Sequence, residues 1–184
     1  MMKNLALLLA AAVSTTACSG LNLPMFTSIA PNTPGLSTTL SGKTGQRVID
    51  TISFSSVNAF AKEPLTACVN GHISPPATAQ PDSEPRLISF AGNDRIMATG
   101  SSPFDYRRYG VIPARDILGF NLSVAARPSG TSYRFRDIVH IQQGTEHQIR
   151  LYDRGNQLVY DSLQALFQQL DACVAGGQRT KKTA

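Results

Sequence analysis

The chain has 184 residues, 42% hydrophobic and 16% charged, with three cysteines and a net charge of +5. That size holds one ordinary domain with tails, and 14 Gly and 11 Pro are too few for a collagen-like or fully disordered chain. Lys3, Arg179, Lys181 and Lys182 sit at the two ends, and the rest of the chain is nearly neutral, so the basic excess belongs to the termini. A nucleic-acid-binding domain concentrates it on the fold.

Residues 1–17 are expected to be a secretory signal. Lys3 supplies a positive start, Leu5 to Val13 an apolar run, and Ser14 to Ala17 small residues before a cleavage point. The run is far shorter than the roughly 20 residues that span a bilayer. Thr15-Thr16-Ala17-Cys18 resembles the lipobox of bacterial lipoproteins, with Thr15 where leucine is usual. The resemblance implies an acylated Cys18, and Ser19 resembles the pattern of retention in the outer membrane. An ordinary signal peptidase cutting after Ala17 is the alternative. Attachment by more than one acyl chain gives firm anchoring.

Residues 18–45 are expected to be the lipidated N-terminus and a flexible linker. Pro24, Pro31, Pro34 and several glycines interrupt it and no period is sustained. A single α+β domain is expected over residues 46–177. Arg47 to Phe54 is predicted as a strand from its β-branched residues. A helical region follows, capped by Ser55 or Ser56, with Val57, Phe60, Ala61, Leu65, Cys68 and Val69 at helical spacing. Pro64 is expected to kink or split it, and Gly71 to end it. Residues 75–85 are a proline-rich loop.

Strands are predicted at 86–90 and 95–99 around a turn at 91–94. Another runs over 117–127, where Leu118, Phe120, Leu122, Val124 and Ala126 alternate with small or polar residues. After a turn at Pro128-Ser129-Gly130, Tyr133, Phe135, Val139 and Ile141 continue one apolar face, with Asp137 out of pattern. A second hairpin is expected between 147–152 and 157–160. Asp161 or Ser162 then caps a helix whose stripe is Leu163, Leu166, Phe167, Leu170, Cys173 and Val174. Gly176 and Gly177 are expected to stop it, leaving residues 178–184 as a basic disordered tail.

The fold class is therefore α+β, an antiparallel sheet with helices packed on one face. Its element order is similar to helix-grip folds. With Cys18 assigned to lipid, Cys68 and Cys173 form an even pair that an oxidising compartment would join, two buried thiols being the alternative.

Chemistry-bearing motifs are sparse. His72, His140 and His147 lack metal-site spacing, no G-x-S-x-G elbow occurs, and no phosphate loop is present. No metal, cofactor or nucleic acid is expected. The segment 103–115 stands out, because Phe104, Tyr106 and Tyr109 interleave with Arg107, Arg108 and Arg115. These residue types are enriched at binding hot spots. The expected function is a non-enzymatic lipoprotein of the outer membrane, facing the periplasm, that binds an envelope protein (a secretion-complex subunit or an immunity-type protein). The alternatives are a binder of a small apolar ligand in a helix-grip cavity and a cell-wall hydrolase.

Overall fold

The computed structural model describes residues 28–76, 87–108, 112–152 and 155–182. The predicted signal and Cys18 lie outside the described residues, as do Tyr109 and most of the predicted loop at 75–85.

Among the described residues, seven strands and two helices follow in order: β1 (Leu36–Leu40), β2 (Arg47–Ser56), α1 (Lys62–His72), β3 (Ile88–Ala91), β4 (Arg95–Arg108), β5 (Ile112–Arg127), β6 (Gly130–Gln142), β7 (Thr145–Gln148) and α2 (Asn156–Lys182). The sheet runs β1-β2-β6-β5-β4-β3, with β7 paired to β6, and every pairing is antiparallel. Both helices cover one face, as an α+β fold requires.

That face is apolar because alternate residues point into it. Ile52 and Phe54 of β2, Tyr133 and Phe135 of β6, Leu118 to Val124 at even positions of β5, and Ile96 and Ala98 of β4 are all buried. Leu65, Cys68 and Val69 of α1 and Leu163, Leu166, Leu170 and Val174 of α2 close over them in one cluster. Aromatic rings tie the sheet to α2. Phe54 stacks on Phe167 at 5.0 Å, and Tyr133 meets the same ring edge-on at 5.1 Å. Phe135 stands edge-on to Phe120 at 5.2 Å. Cys68 and Cys173 are joined by a disulfide between the two helices, with Cα atoms 6.0 Å apart.

The structure corrects several expectations. The stretch predicted as linker contains β1, and Ile29 is already 2% exposed in the core, so the packed fold starts well before residue 46. Pro64 neither kinks nor splits α1. It is the third helical residue, where the backbone N–H would have no intrahelical partner. Val57 is exposed, and the helix starts after Ala61 rather than at a serine cap. Gly71 lies within the helix rather than after it.

Residues 157–160 are helical, not a strand. Val159 precedes Leu163 by four, so the apolar stripe of α2 begins a turn earlier than predicted. Nor does Gly177 end the helix. A β-carbon there would stand 3.3 Å from Cβ of Pro64, so the glycine lets α2 approach α1 closely. Backbone helicity extends through Lys182, into the predicted tail.

Asp137 explains the break in the β6 pattern. Its φ is +51°, and the register slips there, from Asn121 opposite Arg136 to Gly119 opposite Val139. This bulge adds one residue and inverts the faces beyond it. Ile138 therefore joins the core. Val139 and Ile141, predicted to do so, lie across Gly119 on the other face.

Candidate functional site

The inversion at Asp137 turns His140 toward the helix-covered side, beside the base of the β4–β5 hairpin. The Phe104 ring stacks on Tyr106 at 5.3 Å and meets the His140 ring edge-on at 5.5 Å. Nε2 of His140 lies 2.8 Å from Oδ2 of Asp116, which stands opposite Phe104 in the ladder. His147, the register partner of His140, is exposed on β7.

These rings form one wall of a cavity of about 260 Å³. Leu158 and Val159, from the first turn of α2, also line it. Ile149 adds apolar surface, and His140, His147, Gln148 and Asn156 supply polar groups. Asn156 fixes this arrangement. Its buried side-chain oxygen accepts a 2.6 Å hydrogen bond from the Ile29 backbone N–H, while its amide nitrogen donates to the carbonyls of Arg150 and Leu151. One side chain thus joins the N-terminal segment, the chain after β7 and the start of α2. The hairpin expected between 147–152 and 157–160 would place Asn156 in its turn. Asparagine one turn before Val159 and two before Leu163 is also a helix-start signal, and that signal identifies it.

Beyond the cavity the hairpin leaves the sheet. β6 pairs with β5 only as far as Ile117, whereas β4 and β5 pair with each other out to Arg108 opposite Ile112. Residues 104–108 and 112–116 therefore form a two-stranded arm. Cross-strand Asp105 and Arg115 form a bidentate pair at 2.6 and 3.1 Å, both largely exposed. The Arg115 guanidinium holds the Asp105 carboxyl below the usual carboxylate range. Ile112 is 54% exposed near the tip.

The residues predicted to meet a partner thus divide. Phe104 is 8% exposed and Tyr106 half-buried, and both line the cavity. Arg115 is exposed but engaged by Asp105. Arg107 and Arg108 end β4, and Tyr109 lies outside the described residues. Within this segment, residues 103–108 belong to β4 and 112–115 to β5.

Among the described residues the lining contains no serine, threonine or cysteine, and its one hydroxyl is that of Tyr106. Among the described residues no helix is long and apolar enough to cross a membrane, and no cluster of three or more His, Cys, Asp or Glu is placed to hold a metal ion.

No protein-family model matches the chain, and no curated protein sequence does. Among solved structures it is similar to a DUF4468 family protein from Bacteroides ovatus, with a TM-score of 0.47 and 9% identity, over 77% of this chain and 91% of that one.

Proposed function

We propose that the domain is a protein-binding module, held at the outer membrane by lipid on Cys18, that engages an envelope partner through the β4–β5 arm. The observation that carries this reading is the arm itself. It projects past the rest of the sheet with Ile112 exposed, and an apolar cavity opens at its base. A lone two-stranded ribbon is marginal in water, so a partner that packs against it adds stability to both.

The size of the cavity supports a partner's side chain as its occupant. Pockets for drug-sized ligands run from about 300 to 1,000 Å³, whereas a cavity of about 150 Å³ accepts a benzene ring. A space of about 260 Å³ fits one aromatic or aliphatic anchor, the kind of residue that dominates binding energy. The apolar lining also favours a second reading, in which a small apolar ligand fills the same space.

A photo-crosslinking residue at position 112, in cells, tests the arm. The expected result is one discrete adduct, recovered from detergent and lost when Ile112 carries the probe but Val159 is replaced by Arg to fill the cavity. Absence of any adduct overturns the reading. Native mass spectrometry showing a bound small molecule favours the second. Cys18→Ser should move the protein out of the membrane fraction, and continued sedimentation with membranes would count against a lipid on Cys18.

A further inference from the structure

The sheet face turned away from the helices is lined by arginines, and we infer that it binds an extended, acidic segment of a partner protein. Arg134 and Arg136 lie two apart on β6, Arg127 ends β5 and Arg95 begins β4, and all four are exposed. Between them the ladder places small or short polar residues. Ser132 faces Ala125, which faces Arg95. Arg134 faces Ser53 on one side and Ser123 on the other. Long side chains around a floor of serine and alanine leave a depression of about 380 Å³.

The charges there are unspent. None of the four arginines forms an ion pair with a described residue. Asp137, the carboxylate that lines the depression, is occupied by Asn121, whose Nδ2 donates to it at 2.8 Å. Arginine is suited to this task, because its planar fork takes a carboxylate bidentately.

Spacing and composition identify the occupant. Residues two apart on a strand lie roughly 6.5–7 Å apart on one face, which equals the repeat of alternate side chains in another extended chain. A segment with Asp or Glu at alternate positions therefore matches Arg134 and Arg136. Met97 is 44% exposed and Phe90 51% exposed beside the depression. Arginine, methionine and aromatic residues together characterise protein interfaces. Single-stranded nucleic acid would need a row of aromatic stacking platforms, and the central rows here hold Ser, Thr, Asn and Met. A walled depression suits a protruding chain better than a flat bilayer.

This surface is distinct from the arm and its cavity, so either can fail alone. The test uses a labelled peptide with glutamate at alternate positions, measured by fluorescence anisotropy at low salt. Saturable binding is expected. The double variant Arg134→Glu/Arg136→Glu should weaken it by about tenfold or more, as loss of interface hot spots does. A melting temperature close to the parent's shows that the variant folds, and Arg134→Gln/Arg136→Gln repeats the test with a milder change. The arm variant Ile112→Asp should bind the peptide normally. Equal binding by parent and both double variants would overturn the inference. So would polyphosphate, single-stranded DNA or anionic vesicles saturating the protein at lower concentration than the peptide, since each would assign the arginines to phosphate.

Discussion

The two faces of the sheet are built by the same strands and have opposite fates. On the closed face, alternate residues of β2, β4, β5 and β6 meet two helices, a ladder of aromatic rings and a disulfide. On the open face, the stretch around the arginines holds Ser, Thr, Asn, Ala and Met, exposed or half-buried, while Val139 and Ile141 pack beside Gly119 beyond the bulge. Stability is concentrated on one side of a layer one residue thick.

The sharpest contrast lies in the covalent tie across the closed face. The bridge closes a loop of 105 residues. In the chain-entropy account, a loop of about 100 residues contributes roughly 4.7 kcal/mol by restricting the unfolded chain. Cys68→Ala, compared with the parent under non-reducing conditions, should lower the denaturation midpoint strongly. An unchanged midpoint would mean that packing alone joins α1 to α2.

Neighbouring residues of β6 give the next test. Phe135 is wholly buried between Phe54 and Phe120, and Phe135→Ala should cost about 3–5 kcal/mol. Arg134, the residue before it, points the other way, and Arg134→Ala should change stability by less than about 0.5 kcal/mol. Chemical denaturation of both variants decides the matter. Similar losses would show that the open face also carries the fold.

Asp137 governs how the faces are assigned. It holds φ at +51°, a conformation that Asp and Asn tolerate and β-branched residues resist. Asp137→Val should destabilise by about 1–2 kcal/mol, whereas Asp137→Asn should be close to neutral. Equal stability of the two variants would mean that the bulge relaxes when challenged.

The same position shows how far the sequence could be read. The closed face was legible wherever alternation or helical spacing was unbroken, as over Leu118–Val124 and Leu163–Val174, and there the predicted core is the observed one. Asp137 broke the alternation visibly, yet nothing local says whether one polar residue interrupts a strand or an extra residue shifts it. The answer depends on the partner strand, where Gly119 leaves room for Val139 and Ile141. β1 was missed because it is a short, mostly exposed and polar edge strand, and Ile29 because its backbone is held by the distant Asn156. The arginine face was hidden for another reason. Net charge sums over the chain, and only the strand order gathers Arg95, Arg127, Arg134 and Arg136 onto one surface. The hairpin arm escaped because Pro103, Gly110 and Pro113 suggest a loop, while cross-strand pairs such as Asp105–Arg115 hold residues 103–108 and 112–117 in a ladder.

A small, pH-dependent effect is expected at the edge of the closed face, where Tyr133 reaches α2. Its ring is buried, and its hydroxyl donates to Oδ1 of Asp171 at 3.4 Å, while Asn58 donates to Oδ2 of the same carboxylate at 2.9 Å. Burial foremost, and then the Asp171 charge, push the Tyr133 phenol well above its ordinary value of 10.0. In the folded protein the phenol therefore stays neutral at pH values where the unfolded chain has already ionised it. The stability tied to this neutral form is intact below pH 10 and falls as pH rises above it. Tyr133→Phe removes the titration and a long hydrogen bond, so near neutrality it should cost no more than about 1 kcal/mol. Its stability should then decline less steeply above pH 10 than the parent's. Parallel alkaline profiles for the two proteins would mean that Tyr133 ionises freely, and that the closed face admits water at this edge as the open face does.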